Sequence, residues 1–158
     1  MALTQVQQLA IVYGIIEREG GMVEHPKDPG GLTKYGISRR AYPDLDIRNL
    51  TKADAVTIYL RDYLRKYHLH QLQSVTNAEI VCDWLVNSGP LAIKPLQQAL
   101  RVTADGVIGP QTLAAVNQFT AESLRLRVLS QRLRFMAALP TWPSFGRGWA
   151  NRIAELME

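Results

Sequence analysis

Residues 17–38 read EREGGMVEHPKDPGGLTKYGIS, and we expect the rest of the chain to be organised around this segment. A run of apolar residues with helical spacing precedes it, and Gly20-Gly21 interrupts that run. Glycine takes the left-handed conformation that ends many helices at no steric cost. The pattern therefore predicts a helix over residues 4–19, with Thr4 as its N-cap.

Two carboxylates lie near the end of this predicted helix. Glu19 falls in the last turn, where unpaired carbonyl groups and the helix dipole disfavour a negative charge. Such a field favours the protonated carboxyl that a general acid must supply. Helical spacing puts Glu17 and Glu19 on opposite sides of the apolar stripe and does not choose between them. A solvated helix end without a catalytic role is the alternative interpretation.

Proline and glycine interrupt residues 22–49, which have no helical period. We expect a loop here, with a short hairpin around residues 32–38. Long irregular segments inside compact domains often carry function, and this one directly follows Glu19.

The remainder of the chain is predicted to be helical, which makes the fold mostly α. We expect capping boxes at Thr51 with Asp54 and at Thr76 with Glu79, because each pair has the spacing of that motif. The expected helices cover about residues 52–67, 76–88, 91–101, 121–138 and a short segment around 149–156, with one more beginning at Pro110.

Two of these helices make specific demands on their surroundings. Asp83 lies inside an apolar run, so it must be hydrogen-bonded or ion-paired if it is buried. The helix over residues 121–138 has an apolar line that should face the core, formed by Leu126, Leu129, Leu133 and Met136.

Composition limits the class of protein. The 158 residues, of which 47% are hydrophobic and 20% charged, suffice for one domain with its own core. The net charge of +4 indicates an anionic partner, but the basic residues form no continuous stripe, so no nucleic-acid partner is expected. No apolar run approaches the ~18 residues of a membrane span, and the N-terminal run lacks the features of a signal peptide. Cys82 is the only cysteine, which excludes an intrachain disulfide.

Several kinds of catalytic site are absent from the sequence. The histidines are scattered, so no metal site is predicted. The sequence has no nucleophile elbow, which argues against a Ser-His-Asp hydrolase. It has no phosphate-binding loop or dinucleotide motif either, and we expect no cofactor. Carboxylate chemistry remains, with Glu19 as the candidate acid and four candidate partners: Asp28, Asp44, Asp46 and Asp83.

Four motifs occur in a specific order over about residues 8–90: E-G-G, D-P-G-G-x-T-x-x-G-I-S, I-Y-x-x-x-Y and D-x-x-V-N-S-G. In this order they resemble the N-terminal domain of glycoside hydrolase family 108, the phage-type N-acetylmuramidases (lysozymes, endolysins). Residues 91–158 contain D-G-V-I-G-P-Q-T and F-G-R-G-W-A-N-R. They resemble the C-terminal peptidoglycan-binding portion that is usually joined to that domain.

The resemblance implies a lysozyme-like, mostly α fold in which a small loop and hairpin lobe faces the end of the catalytic helix. Residues 1–90 would form the catalytic part. Residues 91–158 would form a helical peptidoglycan-binding part, packed into the same compact unit.

The resemblance also implies roles for individual residues. Glu19 would be the catalytic acid, and Asp28 and Thr33 are candidates for the second catalytic group, although an Asp before Pro-Gly is also a common turn residue. The predicted substrate-binding residues are Tyr35, Asp83 and Asn87.

The chain departs from the family pattern at two points. His25 stands where members commonly have an Asp, so a role for that earlier acid is not carried over. Leu64 follows Tyr63 where members have Trp, so an aromatic side chain that could pack or touch sugar is missing.

The predicted activity is hydrolysis of the bond between N-acetylmuramic acid and N-acetylglucosamine in bacterial peptidoglycan. The alternatives are a lytic transglycosylase that leaves 1,6-anhydro sugars, a non-catalytic wall-binding module and, on charge alone, a nucleic-acid-binding or partner-binding protein. We expect a monomer, made in a bacterial cytoplasm without a signal peptide. A holin or another export system would bring it to the wall.

Overall fold

A computed structural model describes residues 1–24 and 31–158 of the chain. The mostly α fold predicted from the sequence is confirmed. The helices are α1 (Gln5–Glu19), α2 (Lys52–Tyr59), α3 (Val75–Ser88), α4 (Ile93–Leu100), α5 (Pro110–Gln118), α6 (Ala121–Ala137) and α7 (Trp142–Glu155). A π-helical segment, Leu60–Arg65, continues α2, and 3₁₀ turns are formed by Leu69–Gln71 and Gly89–Ala92.

The lobe after α1 contains a small antiparallel sheet of three strands in the order β1 (Met22–Glu24), β2 (Leu32–Lys34) and β3 (Ile37–Ser38). Thr33 lies in the central strand, opposite Val23 on one side and Ser38 on the other. The β2–β3 hairpin was predicted. Strand β1 was not, because all three of its residues are exposed and give no alternation of apolar and polar side chains.

The ends of α1 follow the predicted chemistry. Thr4 and Gln7 form a reciprocal capping box, and Gly20 ends the helix with a φ of 79°. Thr51 and Asp54 form the second predicted box at the start of α2. These contacts fix where the chain enters and leaves the helices that carry the site.

Three predicted helix boundaries were wrong. The N-cap of α3 is Ser74 and not Thr76, because the Ser74 hydroxyl already accepts from the Asn77 amide one turn into the helix. The regular α geometry of α2 ends at Tyr59, where the π-helical segment begins. Helix α7 starts at Trp142, seven residues earlier than predicted from Trp149, because Pro143 occupies the first turn, where its missing amide costs nothing.

The core lies around α3, which packs against α1 and α6. The predicted apolar line of α6 was wrong in part, since Leu126 is 60% and Leu133 36% exposed. The buried residues of α6 are Leu124, Val128, Leu129, Arg132 and Met136. Among the helices of the described ranges, none combines the length and hydrophobicity needed to cross a membrane.

Candidate active site

Glu19 is the last residue of α1, and its surroundings separate it from Glu17. The Glu19 side chain is 17% exposed and faces the C-terminal helix. The Glu17 side chain is 67% exposed and pairs with Lys52 at the start of α2. Helical spacing left the two carboxylates equivalent, whereas the structure places only Glu19 in a partly buried, charged environment.

Arg152 on α7 contacts two carboxylates at once. Its Nη2 donates to Oε1 of Glu19 at 2.5 Å and to Oδ1 of Asp83 at 3.0 Å. Burial alone would lower the pKa of Arg152, but the charges of Asp83 and Glu19 outweigh it and hold that pKa above its ordinary value. Arg152 is therefore a fixed cation between α1 and α3.

Asp83 lies in the core, and it is paired, as expected for a buried carboxylate. Its Oδ2 accepts from Nη1 of Arg132 at 2.6 Å, and its Oδ1 also lies 3.4 Å from Nε of Arg18. Burial would raise the pKa of this carboxyl, but the arginine charges and the hydrogen bond from Arg132 lower it overall. Its side chain is only 2% exposed, so it offers no accessible oxygen to a ligand in this arrangement.

The turn between β2 and β3 lies directly against Glu19. Tyr35 and Gly36 both have left-handed backbones, with φ of 53° and 76°. The Tyr59 hydroxyl donates to the Tyr35 carbonyl at 2.9 Å. A Cβ atom on Gly36 would lie 2.5 Å from that hydroxyl and 2.9 Å from Cγ of Glu19. Only glycine gives both the required backbone and the required space.

A depression in the surface is lined in part by three tyrosines, Tyr42, Tyr63 and Tyr67. The Tyr59 and Tyr63 ring centroids are 5.4 Å apart, and burial raises the pKa of both phenols, helped by the nearby charge of Glu19. At the lobe side of the depression, the Tyr42 hydroxyl donates to Oδ2 of Asp62 at 2.8 Å. The lining residues are Ala41, Tyr42, Asp62, Tyr63, Lys66, Tyr67, Gly89 and Pro90. Apolar ring faces beside hydroxyl and carboxylate groups suit a carbohydrate.

The remaining predicted residues lie at different places. Thr33 and Tyr35 are half-buried in the sheet lobe, and the Lys34 ammonium lies 5.7 Å from the centre of the Tyr35 ring. Asn87, one helical turn after Asp83, is exposed beside a second depression. The other residues that line this depression are Ser88, Leu91, Phe135, Met136, Leu139 and Trp149. Asp28 and His25 lie outside the described residues.

Sequence reasoning missed the arginines of the site. It treated the arginines as a mild excess of positive charge, yet Arg132 is 1% exposed and Arg152 contacts Glu19. A signal for Arg132 was present, because it lies between Leu129 and Met136 at helical spacing and therefore on the buried face of α6. No comparable signal identifies the contact of Arg152 with Glu19, because the two residues are 133 positions apart in the sequence.

Comparison with known proteins agrees with this architecture. Residues 12–89 match the family model of glycosyl hydrolase 108, and residues 91–154 match a model described as a predicted peptidoglycan domain. The chain is also similar to the solved structure of SagA from Brucella abortus. The TM-score is 0.83 and the identity 32%, over 98% of this chain and 93% of SagA. This chain belongs to the glycosyl hydrolase 108 family.

The predicted family resemblance is thus confirmed, and with it the lysozyme-like class of fold. This glycosyl hydrolase 108 protein is a peptidoglycan hydrolase that acts on the bacterial cell wall. No curated protein sequence matches the chain.

Proposed function

We propose that this protein cleaves the glycosidic bond between N-acetylmuramic acid and N-acetylglucosamine, with Glu19 as the general acid. The observation that carries the proposal is the position of the Glu19 carboxyl. It ends α1, is 17% exposed, touches the Tyr35-Gly36 turn and meets a cation from α7. Glu17, two residues earlier, has none of these contacts with the lobe or α7 among the described residues.

In the proposed reaction, protonated Glu19 gives its proton to the glycosidic oxygen as the bond to the anomeric carbon breaks. The electron pair of that bond stays on the oxygen, which becomes the hydroxyl of the leaving sugar. A water molecule adds to the anomeric carbon and gives its proton to the second group or to the Glu19 carboxylate, leaving a new reducing end. General acid catalysis of this kind contributes about 10²–10⁴-fold to the rate.

A second group must position the water or stabilise the charge that develops on the sugar. Asp28 and Thr33 remain our candidates. A carboxylate about 6.5–9.5 Å from Glu19 would lead to inversion at the anomeric carbon, whereas one about 5–5.5 Å away would attack it directly. Asp83 is a poor candidate, since both of its oxygens are engaged by arginines inside the core.

We further propose that the sugar chain runs from Glu19 into the tyrosine-lined depression, because Tyr63, which lines it, lies beside Tyr59. Tyr35 and Asn87 are retained as candidate substrate contacts. For Asp83 we now propose an indirect role, which is to hold Arg152 beside Glu19. Residues 91–158 would contribute wall binding through their helical part, while α7 also reaches the acid.

The test is digestion of purified sacculi followed by mass analysis of the fragments. Wild type and Glu17→Gln should release fragments with new reducing ends, whereas Glu19→Gln should release none while keeping its melting temperature and its binding to sacculi. Glu17→Gln is the matched control because it removes a carboxylate from the same helix end. Full activity of Glu19→Gln would overturn the proposal.

Two other results would replace it with a different function. Fragments that end in 1,6-anhydro sugars, each lighter by one water, would identify a lytic transglycosylase. Wild type that binds sacculi and never cleaves them would be a wall-binding module.

The proposed activity would be bacteriolytic if the enzyme reached the wall of its own host. Synthesis in the cytoplasm and passage through a holin or comparable export system stay predictions, as does the monomeric state. Lysis that requires co-expression of a holin would support the export prediction, and lysis by the protein alone would contradict it.

A further inference from the structure

We propose that Arg152 is a positioning residue for Glu19, so that the C-terminal segment completes the active site as well as binding the wall. This inference rests on the proposed role of Glu19 as the acid. Arg152 belongs to the segment matched by the peptidoglycan domain model, whereas Glu19 belongs to the segment matched by the hydrolase model. Their direct contact at 2.5 Å joins the two segments at the reacting group.

The contact fixes the orientation of the Glu19 carboxyl. Among the hydrogen bonds of the described residues, only Oε1 of Glu19 is used, and its donor is Arg152. We assign the catalytic proton to Oε2. An arginine N–H can donate to an ionised carboxylate and also, more weakly, to the carbonyl oxygen of a protonated carboxyl. The contact can therefore persist while Oε2 gives up its proton and takes it back.

The guanidinium of Arg152 is itself held in place. Its Nη2 also donates to Oδ1 of Asp83 at 3.0 Å, and Asp83 is held in turn by Arg132 at 2.6 Å. Because Asp83 and Arg132 are both buried in the packed core, their positions are defined by α3 and α6. Asp83 also supplies negative charge to Arg152, so the cation is not balanced by Glu19 alone.

Arg152 could instead serve only to attach α7 to the rest of the protein, and the structure offers a way to separate the two roles. Helix α7 has its own apolar anchor. Ile153 is 3% exposed and packs in a cluster with Leu129 and Met136 of α6. Truncating Ile153 weakens attachment without removing a group that touches Glu19. Arg147 is an exposed arginine on the same helix and controls for loss of charge.

The experiment measures steady-state cleavage of soluble, uncross-linked glycan chains by wild type, Arg152→Met, Arg152→Lys, Arg147→Met and Ile153→Ala. For Arg152→Met we expect kcat to fall about 10²-fold with KM within about twofold of wild type, because a small misplacement of a catalytic group costs that much. Arg152→Lys should recover part of kcat, since its ammonium can reach one of the two carboxylates. Arg147→Met should keep the wild-type kcat. Ile153→Ala should lower the melting temperature and keep kcat at temperatures where it is folded.

Chemical rescue provides a second test, because it would have no effect if Arg152 served only to attach α7 to the rest of the protein. Millimolar guanidinium should raise the kcat of Arg152→Ala and leave wild type and Ile153→Ala unchanged, because it can refill the site between Glu19 and Asp83. Circular dichroism at the assay temperature confirms that each variant is folded.

Several outcomes would overturn the inference. One is a folded Arg152→Met with wild-type kcat, and another is a change confined to KM. A third is an Ile153→Ala that loses kcat as strongly as Arg152→Met while folded. If Glu19→Gln is inactive and Arg152→Met fully active, only this inference fails. If Glu19→Gln is active, or wild type cleaves nothing, the proposed function fails and the inference falls with it.

Discussion

The Asp83 carboxylate and the Arg132 guanidinium form an ion pair at 2.6 Å in the core, with side chains 2% and 1% exposed. Arg132 also has its Nε and Nη2 without partners among the described residues. Burying these two charges costs desolvation free energy, and their mutual attraction offsets that cost only while both charges are present. It also supports Arg152, which bridges from Asp83 to Glu19.

We expect Asp83→Asn to destabilise the fold strongly. Breaking a buried pair by removing one charge typically costs about 3–5 kcal/mol, because the other charge remains buried without compensation. The measurement is the free energy of unfolding from urea titration near pH 7. The double variant Asp83→Asn with Arg132→Met is the control, since it removes both charges and should be more stable than Asp83→Asn alone. A loss below about 1 kcal/mol, the range of exposed pairs, would contradict the buried pair.

The contribution of Asp83 should depend on pH with a defined sign. Its arginine partners hold the pKa of the folded carboxyl below its ordinary value despite burial. The stability that it provides is therefore complete above the pKa of unfolded Asp, about 3.9, and is lost as the pH falls through the folded value. The difference in unfolding free energy between wild type and Asp83→Asn should be constant from about pH 7 to 5 and shrink below about pH 4. A difference that grew on acidification would refute this assignment.

The parts of the fold that the sequence predicted are those governed by local chemistry. Thr4, Gly20 and Thr51 define helix ends through contacts within a few residues, and the residue types required are restricted. Strand β1 was missed because its partner strand, and not its own pattern, makes it a strand. The π-helical segment after Tyr59 likewise has no simple signature in side-chain spacing.

The candidate site likewise has features that local sequence predicts and features that depend on tertiary contacts. Helical spacing did not distinguish Glu19 from Glu17, and the family motifs selected Glu19; the tertiary structure adds the different surroundings of the two carboxylates. The need for a partner to Asp83 was predictable from its apolar neighbours. The identity of that partner was not, because Arg132 and Arg152 come from helices far along the chain. Long-range charge pairing leaves no periodic trace in a single sequence.

Gly36 should be intolerant of even the smallest side chain. Gly36→Ala would place Cβ within 3 Å of the Tyr59 hydroxyl and of Cγ of Glu19, in addition to the strain of a left-handed backbone. We expect a lower melting temperature and a large loss of wall-digesting activity, since both neighbours must move. Gly31→Ala is the matched control. Its φ of 67° imposes a similar strain of about 1–2 kcal/mol, but its Cβ meets no atom of residues 1–24 or 31–158 within 4 Å. Equal activity in the two alanine variants would argue against close packing of the turn on Glu19.

The Tyr59 hydroxyl should matter for both stability and activity, because it ties the Tyr35 turn to α2. Tyr59→Phe removes the donor to the Tyr35 carbonyl and should cost about 0.5–1.5 kcal/mol of unfolding free energy, the usual net value of one hydrogen bond. Activity should fall further than stability explains, since the same turn packs on Glu19 through Gly36. The measurements are urea unfolding and sacculus digestion on the same preparations. Tyr13→Phe, which alters a 44% exposed phenol on α1, should leave both unchanged. A Tyr59→Phe enzyme with wild-type turnover would show that the turn holds its place beside Glu19 without this hydrogen bond.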